Sequence, residues 1–471
     1  MAYTNNNGQT RIGVRIVPQV NASSLWNSIY SVYNADAIGS SSLKTSLVSA
    51  YNGESNTNDS FGTNNGTAVG GLTYGTGKIG NAFNFNGTNA YVSLPNNSWN
   101  FTGNFSISMW VKFSSSSLSQ ILISNFTIGG ATTVSGWFIE KTDNAELRFR
   151  GYNNGSLVLN ATKIAFSPST SVYTHLVVSR SATNSKIYIN GVLDITSTVT
   201  AAPNYESTNY PMIGANRYNS TTYQEFFNGN IDGVNIWQKE LTQSEITELY
   251  NSGNGAQYIG DNFYKPTTND ALNTYNGTAQ GGLTYGVGKV GTAFQFNGTN
   301  AYVSLPDNSL NPSGDFSISF WVKFNSVAPT YINLIENYYA PSSSRYGYNL
   351  YLQLGKIRFA TYNGTTTNIA QSTSSLSINQ WYHITLSKKT STAPKLYING
   401  VSDTFSQILG NISSNLVYNS LCKSLFGVDY DTSYNSFLNG SLDAINIWNK
   451  ELTTSEITEL YNSGNGKQYP N

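Results

Sequence analysis

The chain has 471 residues, of which 39% are hydrophobic, 13% aromatic and only 11% charged, with equal numbers of basic and acidic side chains. This length predicts two or more domains, and the lack of a basic excess argues against nucleic-acid binding. The single cysteine, Cys422, excludes an internal disulfide, and no stretch approaches the roughly 18 apolar residues of a membrane helix.

The first 43 residues have no counterpart in the repeat that follows them, and they carry no recognisable export signal. Residues 9–18 predict a short strand or an extended arm. Residues 24–33 predict a helix with two adjacent apolar stripes. The stripes are Leu25, Ile29 and Val32, and Trp26, Tyr30 and Tyr33. Because such a helix is too apolar to stand alone, we expect it to dock on the first domain or on a partner chain.

A long internal repeat occupies the rest of the chain. The stretch GLTYGTGKIGNAFNFNGTNAYVSLP, beginning at Gly71, returns 211 residues later as GLTYGVGKVGTAFQFNGTNAYVSLP, beginning at Gly282. A repeat of this size corresponds to a whole β domain and is too long for a solenoid unit. We therefore expect two homologous domains, at residues 44–258 and 259–471, joined almost without a linker into a stiff tandem.

Side-chain alternation within each copy is typical of β-strands. Phe105–Phe113 alternates apolar and polar residues, as a half-buried strand does. Residues 186–191 and 395–400 alternate in the same way and end in Asn-Gly, a strong hairpin signal. One short helix is expected per copy, at residues 241–250 and 452–461, each with a hydroxyl cap and a glycine stop.

Three motifs recur in both copies. They are a Gly-Lys-Ile-Gly-Asn-Ala-Phe-Asn-Phe-Asn-Gly stretch from Gly77, the Phe-Ser-Ile-Ser-x-Trp-Val-Lys strand, and the closing Ile-Asp-Gly-Val-Asn-Ile-Trp sequence around Asp232. Together they resemble the laminin-G-like branch of the concanavalin A-like lectin/glucanase superfamily. The resemblance implies two tandem antiparallel β-sandwiches of the jelly-roll type, an all-β fold. It also implies a structural calcium ion, bound partly through main-chain carbonyls near these positions.

Groups for catalysis are scarce. No predicted strand carries the paired carboxylates that a retaining glycosidase holds about 5 to 5.5 Å apart. Only two histidines occur, His175 and His383, at matching places in the copies, and in the resembling family this histidine begins a core strand. We therefore expect no enzymatic activity.

Four aspartates are candidate calcium ligands: Asp59, Asp232, Asp270 and Asp443. Period-2 phasing places Asp232 and Asp443 on the same face as the apolar residues that follow them, where a carboxylate must be paired, hydrogen-bonded or metal-bound. Asp59 and Asp270 begin loops rich in carbonyl and amide oxygens, which suit Ca²⁺. The alternative is that backbone amides satisfy these carboxylates. Residues 429–433 open like an EF-hand but lack its glycine and closing glutamate, so we expect a polar loop.

Sugar recognition requires aromatic rings that stack on sugar faces, together with polar groups that bond the hydroxyls. The middle of each copy, where the two differ most, supplies such rings. The candidates are Trp137, Tyr152 and Tyr218 in the first copy, and Tyr338, Tyr339, Tyr346 and Tyr348 in the second. The alternative is that these are ordinary strand residues. If both copies bind ligands, we expect the ligands to differ.

The layout, an arm followed by lectin-like domains rich in Asn, Ser, Thr, Tyr and Gly, resembles virion-surface and fibre proteins of tailed bacteriophages. It implies that residues 1–43 attach to virion structural proteins while the sandwiches face outward to engage host glycans or decorate the capsid. We expect a homo-oligomer that does not insert into a membrane. The alternatives are a bacterial extracellular adhesin or carbohydrate-binding module, and a glycan-degrading enzyme.

Overall fold

The computed structural model describes residues 2–4, 10–12, 24–115, 118–129, 133–206, 209–217, 223–259, 262–312, 314–327, 331–340, 344–413, 415–431, 433–467 and 469. These residues form two antiparallel β-sandwiches, as the sequence predicts. A small hairpin, Ala2–Thr4 with Thr10–Ile12, stands at the N-terminus. Within the described part of the chain, no helix is long and apolar enough to cross a membrane.

Sandwich 1 consists of two sheets. The helix-side sheet has eight strands: Val192–Thr198, Asn184–Ile189, Thr174–Arg180, Phe105–Phe113, Asn228–Trp237, Asn81–Asn86 and Thr73–Thr76, with Leu47–Tyr51 also pairing with Asn228–Trp237. The far sheet has seven: Ser156–Lys163, Leu147–Asn153, Thr133–Lys141, Gln120–Gly129, Met212–Ile213, Tyr91–Ser93 and Thr67–Val69. Asn216–Arg217 and Tyr223–Gln224 form a separate hairpin.

Sandwich 2 repeats this arrangement. Its helix-side sheet has eight strands: Thr284–Val287, Thr292–Asn297, Asn439–Trp448, Phe316–Phe324, Trp381–Lys388, Lys395–Ile398 and Val401–Asp403, with Ile29–Tyr33 also pairing with Asn439–Trp448. Its far sheet has eight: Thr278–Gln280, Tyr302–Ser304, Lys423–Phe426, Ile332–Tyr339, Tyr346–Gln353, Lys356–Asn363, Thr367–Ser372 and Phe405–Leu409. Asp429–Asp431 and Ser433–Asn435 form a separate hairpin.

Each sandwich encloses one hydrophobic core between its two sheets. The odd-numbered residues of Phe105–Phe113 all lie in the core of sandwich 1, which confirms the predicted alternation. The strand is not half-buried as expected, because Ser106, Ser108 and Trp110 on its other face are at most 4% exposed. Burial of each such side chain contributes about 1.5 to 3 kcal/mol, so the alternating strands supply most of the stability.

The two helices, Gln243–Tyr250 and Thr454–Tyr461, lie where the sequence predicts them. Thr242 and Thr453 cap them, and each forms a capping box with the glutamate three residues on. Each helix packs on the outer face of its helix-side sheet; the ring of Tyr250, for example, stacks on Trp110 at 5.9 Å. Short 3₁₀ turns occur at Ser24–Trp26, Ser41–Lys44, Asn251–Gly253 and Asn462–Gly464.

The N-terminal segment is part of sandwich 2, and the helix expected over residues 24–33 is wrong. Ser24–Trp26 is a single 3₁₀ turn, and Ile29–Tyr33 is a strand paired with Asn439–Trp448. Leu25 and Tyr33 are fully buried there. The backbone of this segment bonds to a strand more than 400 residues away, a partner that local periodicity does not reveal.

Residues 23–36 do have a counterpart, contrary to expectation. SSLWNSIYSVYNAD returns 18 residues later as SSLKTSLVSAYNGE, residues 41–54. The two stretches make equivalent contacts in different sandwiches: Trp448 Nε1 donates to the Leu25 carbonyl at 2.8 Å, and Trp237 Nε1 donates to the Leu43 carbonyl at 2.7 Å. Each stretch supplies the first strand of one sandwich.

Sandwich 1 is therefore inserted into sandwich 2, between its first strand and the remainder. The chain crosses between them twice, and the crossings pair in a three-stranded sheet of Gln257–Ile259, Asn262–Pro266 and Asp36–Ile38. The Gly39 amide donates to the Phe263 carbonyl at 2.6 Å. Residues 24–38 thus do not form the separate N-terminal unit that the boundary at residue 43 implied.

Candidate functional site

The outer face of the far sheet in sandwich 1 carries three aromatic rings in mutual contact. Tyr91 lies on a strand of this sheet, while Tyr223 and Phe226 come from the hairpin and loop before the closing strand. The ring centroids of Tyr91 and Tyr223 are 5.0 Å apart at an interplanar angle of 22°, and those of Tyr91 and Phe226 are 6.3 Å apart. These three residues form the aromatic platform of sandwich 1.

Sandwich 2 carries the same platform at residues that follow 211 positions later, Tyr302, Tyr434 and Phe437. Tyr302 stacks on Tyr434 at 4.7 Å and 27°, and Phe437 lies 6.4 Å from Tyr302. Tyr430 extends this platform at 4.9 Å from Tyr434. The ring of Tyr434 is accessible, since the residue is 42% exposed.

The hydroxyls of Tyr91 and Tyr302, one in each platform, stay protonated near neutral pH. Burial raises the pKa of Tyr91 to about 12, and a hydrogen bond to Tyr223 adds to the effect. Burial and a hydrogen bond to Tyr434 likewise raise the pKa of Tyr302 to about 12. The guanidinium of Arg217, which lowers the pKa of Tyr91 slightly, lies 3.4 Å from the ring centre of Tyr210. Each platform is thus a set of aromatic rings with hydrogen-bonding groups at its edge.

An open cavity of about 440 Å³ lies beside the platform of sandwich 1, and Phe226 lines both. This volume is within the range of small-ligand sites, about 300 to 1,000 Å³. Leu118 is 69% exposed there, and Glu225 adopts a φ of +56°, a strained conformation for a non-glycine residue. The cavity is lined by Gly87, Ser115, Leu118, Ser119, Gln120, Asp143, Glu225, Phe226 and Asn228. We name it the rim groove.

Two of the predicted sugar-binding residues lie inside the cores. Trp137 and Tyr348, 211 positions apart, have no exposed surface and pack against Phe105 and Phe316 respectively. Trp137 alternates in phase with the inward-facing Ile139 on its strand. A ring held between two sheets offers no face to a ligand, so the structure contradicts a sugar-stacking role for this pair.

Four other predicted aromatic residues lie outside the two main cores. Tyr152 is half-buried and stacks on Phe138 at 6.1 Å. Tyr338 is only 3% exposed and contacts Tyr362. Tyr339 and Tyr346 are partly exposed at the paired ends of neighbouring strands, and Tyr218 lies outside the described residues. A sugar-binding role for these residues stays a prediction.

Asp59 and Asp270 are occupied by backbone amides. Asp59 Oδ1 accepts hydrogen bonds from Ala50, Phe61 and Gly62 at 2.9 to 3.1 Å, and its Oδ2 accepts one from Asn64 at 3.2 Å. Asp270 accepts four amides in the equivalent way: Val32, Leu272, Thr274 and Tyr275. Both carboxylates therefore tie a loop to the first strand of a sandwich.

Contrary to our expectation, Asp232 and Asp443 do not share a face with the apolar residues that follow them. A β-bulge after each aspartate shifts the register, so that Asp232 lies opposite Trp110 on the outer face. The bulge residues, Gly233 and Ala444, have φ of +55° and +46°. Asp232 Oδ2 accepts the amides of Lys78 and Ile79 at 2.7 and 3.1 Å, and Asp443 Oδ2 accepts two amides of the matching turn.

One of these aspartates belongs to a donor set that fits a hard cation. Beside Asp232 lies Glu54, whose carboxyl accepts the Asn81 amide and a 3.4 Å hydrogen bond from Gln257 Nε2. Burial raises the pKa of Glu54 to about 7. Asp232 Oδ1 and Gln257 Oε1 are buried without a partner among the described residues. Two carboxylates with neutral oxygens are ligands that Ca²⁺ accepts.

In the described part of the chain, no group of three or more His, Cys, Asp and Glu side chains is placed to hold a metal. A cation here therefore requires neutral oxygens as well as carboxylates.

A comparison with family profiles matches residues 86–247 and 297–458, more than half of the chain, to the concanavalin A-like lectin/glucanases superfamily. The chain belongs to this superfamily. The two matched regions fall in the two sandwiches and contain all six residues of the aromatic platforms. The tandem of two lectin-like domains is thereby confirmed.

Individual relatives of this concanavalin A-like chain are distant. Botulinum-like toxin eBoNT/J of Enterococcus sp. (strain 3G1_DIV0629) is 28% identical over 168 residues, 34% of this chain. The chain spans only 12% of the length of that toxin. Domain 4 of AbnA, a GH43 extracellular arabinanase from Geobacillus stearothermophilus, aligns over 43% of this chain and 97% of its own, at 23% identity and a TM-score of 0.30. The binding domain of Paraclostridial Mosquitocidal Protein 1 aligns over 83% of this chain and 99% of its own, at 14% identity and a TM-score of 0.36.

Each concanavalin A-like sandwich also contains a buried serine–histidine pair. Ser108 Oγ lies 2.9 Å from His175 Nε2, and Ser319 Oγ lies 2.8 Å from His383 Nε2. All four residues are at most 2% exposed, and burial lowers the pKa of both histidines to about 3. The imidazoles are therefore neutral and closed off from a substrate, which fits a structural role.

The platform residues were not among the predicted sugar-binding residues, because those predictions fell on positions where the two copies differ. Tyr91, Tyr223 and Phe226 each recur after 211 residues, and that recurrence of aromatic residues near the ends of strands was a usable signal. The proximity of these residues could not be predicted from the sequence, because Tyr91 and Tyr223 lie on elements separated by most of the domain.

Proposed function

We propose that the two sandwiches are non-enzymatic glycan-binding modules that attach the protein to a cell surface. The observation that carries this proposal is the duplicated aromatic platform, with the accessible ring of Tyr434 as its clearest member. Flat neutral rings stack on the CH faces of sugars, and neighbouring polar groups bond the hydroxyls. The rim groove beside Phe226 supplies such polar groups in sandwich 1, whereas in sandwich 2 Ser436 stands in the place of the groove residue Glu225. The two modules therefore take different glycans.

A glycan array followed by calorimetry with the best glycan tests this proposal. Tyr434→Ala removes the accessible ring and should weaken glycan binding by sandwich 2 by about tenfold, the effect of roughly 1.4 kcal/mol of lost stacking. Tyr434→Phe keeps the ring and should bind within a factor of about three of the parent. If both substitutions weaken glycan binding equally, or if neither weakens it, recognition by stacking would be contradicted.

The setting that we propose is the surface of a bacteriophage virion. Residues 24–38, which we expected to belong to the N-terminal anchor, complete sandwich 2. We therefore propose that residues 1–23 attach the protein to virion structural proteins. Removing residues 2–22 should abolish incorporation into particles and leave both sandwiches folded. Display in several copies, as a homo-oligomer, would raise apparent affinity for a glycan surface. Light scattering of the purified chain measures that copy number.

A second candidate setting is the receptor-binding part of a bacterial toxin or adhesin. The observation that favours it is the 28% identity to a botulinum-like toxin over 168 residues. Genes for capsid and tail proteins beside this gene would support the virion, whereas toxin or secretion genes would support this alternative.

The absence of catalysis is also a proposal. The histidines are buried and neutral, and the buried carboxyl pair of Glu336 and Asp429 is in hydrogen-bonding contact instead of about 5 Å apart. Incubation with each glycan that the array identifies, followed by chromatography of the products, checks this. Release of any shorter oligosaccharide would overturn it.

We further propose that sandwich 1 holds a structural calcium ion between Glu54, Asp232 and Gln257. The buried oxygens without partners and the two adjacent carboxyls support it. Calcium should raise the melting temperature of the parent chain, and Asp232→Asn should remove the part of that rise that belongs to sandwich 1. Asp59→Asn provides the contrast, because its carboxylate is occupied by amides and its loss should destabilise equally with and without calcium.

A further inference from the structure

A positive charge lies beside the aromatic platform of sandwich 1. Arg217 is the direct partner of Tyr223 in a two-stranded hairpin, so their side chains lie on the same face of that hairpin. The guanidinium carbon of Arg217 lies 3.4 Å from the ring centre of Tyr210, and Tyr210 packs against the same cluster as Tyr91. This contact is a cation–π interaction, which holds the plane of the guanidinium. The platform of sandwich 1 is therefore flanked by a ring and a cation that stack on each other.

The corresponding hairpin of sandwich 2 carries a ring in place of this cation. Tyr430 pairs with Tyr434 in the register that Arg217 has with Tyr223. The ring centroids of Tyr430 and Tyr434 are 4.9 Å apart. The ring that extends the platform of sandwich 2 therefore stands where sandwich 1 has its guanidinium.

The cation of sandwich 2 stands where sandwich 1 has the supporting ring. Met212 and Leu425 are equivalent, because each pairs with the serine that ends the Tyr-Val-Ser strand of its sandwich. Two residues before them stand Tyr210 and Lys423. Lys423 lies close to the tyrosine hydroxyls of its platform. The two positions have thus exchanged ring and cation, and each platform keeps one of each.

The two cations differ in the acids around them. Lys423 Nζ donates to Asp307 Oδ2 at 2.7 Å, and Asp429 begins the hairpin of the same platform. In sandwich 1 the places of these two acids are taken by the uncharged side chains of Asn96 and Asn216. The charge of the cation is therefore balanced in sandwich 2, whereas the surroundings of the platform in sandwich 1 are more positive.

On the basis of the glycan binding proposed above, we propose that sandwich 1 selects sugars that carry a carboxylate or sulfate group and that Arg217 recognises this group. A guanidinium has five N–H donors in one plane, and two of them bond two oxygens of the same anion. Stacking on Tyr210 uses the face of the guanidinium, whereas an anion bonds to its edge, so the two interactions are compatible. A sugar ring stacked on Tyr223 brings its acidic substituent to the neighbouring Arg217.

The rim groove next to Phe226 does not suit an anion. Asp143 and Glu225 line it, and burial together with the nearby carboxylate of Glu140 raises the pKa of Glu225. Carboxyl groups accept hydrogen bonds from sugar hydroxyls, but they repel a second acidic group. The charges therefore orient the glycan, with the acidic sugar at Arg217 and uncharged sugars in the rim groove.

An array that holds each acidic oligosaccharide beside its uncharged counterpart tests this selectivity on the full chain. One set pairs glucuronic acid with glucose and another pairs 6-sulfated galactose with galactose, so the array distinguishes carboxylate from sulfate. At least one acidic member should bind about tenfold more tightly than its counterpart. Arg217→Gln should remove this preference and leave binding of uncharged glycans within a factor of about three of the parent. An acid preference that survives Arg217→Gln would overturn the proposal.

The array separates failure of this selectivity from failure of glycan binding itself. If the chain binds no glycan, the proposed function is refuted, and the selectivity with it. If the chain binds acidic and uncharged members equally, glycan binding stands and the selectivity is refuted. If Arg217→Gln weakens both members equally, Arg217 only supports the platform, which also refutes a role in recognising charge.

Two variants of sandwich 1 control for folding and for overall charge. Arg217→Lys keeps the charge but loses the planar pair of donors, so it should melt with the parent and retain a reduced preference for the acidic member. Arg150→Gln removes a cation from the same sheet, three strands away from Met212–Ile213, and should leave the acid preference unchanged. An equal loss of the preference in Arg150→Gln and Arg217→Gln would mean that overall charge, and not Arg217, attracts acidic glycans.

A variant of sandwich 2 tests the same principle by gain of binding. Asp307→Asn installs the uncharged residue that sandwich 1 has at this position and removes the acid that balances Lys423. The full chain should then bind two acidic sugars, where the parent binds one, as calorimetry with the acidic member of the array measures. A count that stays at one would count against the proposal, because an unbalanced cation beside a platform would then not be enough to select an acidic sugar.

Discussion

At the scale of single residues, the molecule places several carboxyl groups where water does not reach. Asp59 and Asp270 are compensated by four amides each, whereas Glu54 receives only one amide and one long side-chain hydrogen bond. Desolvation therefore dominates at Glu54 and raises its pKa from 4.5 to about 7. Carboxyls with enough backbone amide donors therefore hold loops in place. Carboxyls with too few donors are the candidate cation ligands.

The raised pKa of Glu54 predicts a pH dependence of stability in the absence of calcium. A group whose pKa is higher in the folded state contributes stability below its unfolded value, about 4.5, and loses it as pH rises through about 7. Relative to Glu54→Gln, the parent should therefore lose up to about 3 kcal/mol of unfolding free energy between pH 4.5 and pH 8. Urea unfolding in chelator at both values measures this. A difference between the two proteins that does not change with pH would contradict it.

At the scale of elements, the first strand of each sandwich is the least local part of the fold. Ile29–Tyr33 and Leu47–Tyr51 each pair with the closing strand of their sandwich and are each tied by an aspartate: the Val32 amide donates to Asp270, and the Ala50 amide donates to Asp59. These matched contacts allow each sandwich to be perturbed separately.

Proline substitution at these positions should unfold one sandwich and spare the other. Val32→Pro removes the amide that donates to Asp270 and should cost sandwich 2 at least about 1 to 3 kcal/mol, while Ala50→Pro should do the same to sandwich 1. Limited proteolysis with mapping of the first cuts identifies the sandwich that opens. First cuts in sandwich 1 after Val32→Pro would mean that the N-terminal strand does not belong to sandwich 2.

The elements also show what sequence patterns reveal and what they do not. The strand Phe105–Phe113 and both capped helices were predictable because alternation, caps and stops are local. The apolar residues of segment 24–33 have helical spacing by chance. In the sequence, only the match of this segment to residues 41–54 indicates that it contains a strand. The predicted faces of Asp232 and Asp443 were wrong because one bulge residue moves every later side chain of the strand to the opposite face. The platforms depend on contacts between distant strands, which no local pattern contains.

At the scale of the whole molecule, the insertion of sandwich 1 occurs at the turn of a hairpin. Ile38 and Tyr264 are direct partners in the antiparallel pair of Asp36–Ile38 and Asn262–Pro266, and the inserted residues leave and return at its end. Hairpin turns tolerate inserted domains because the two ends are close together. The two crossings and the Lys265–Glu248 ion pair of 3.0 Å hold the sandwiches side by side, which fits the stiff tandem that the short junction predicts.

This topology predicts that sandwich 2 can be isolated by restoring the hairpin. Replacing residues 40–262 with a two-residue Asn-Gly turn joins Gly39 to its partner Phe263, and the product should fold cooperatively because the strands of sandwich 2 are retained. The same protein without residues 24–38 lacks the strand that pairs with Asn439–Trp448. It also lacks the buried side chains of Leu25, Val32 and Tyr33, so it should not fold. Circular dichroism and thermal melting of the two proteins compare them directly. If the shorter protein melts as cooperatively as the longer one, sandwich 2 does not need the N-terminal strand to fold. Sandwich 1 would then not be inserted within the folding unit of sandwich 2.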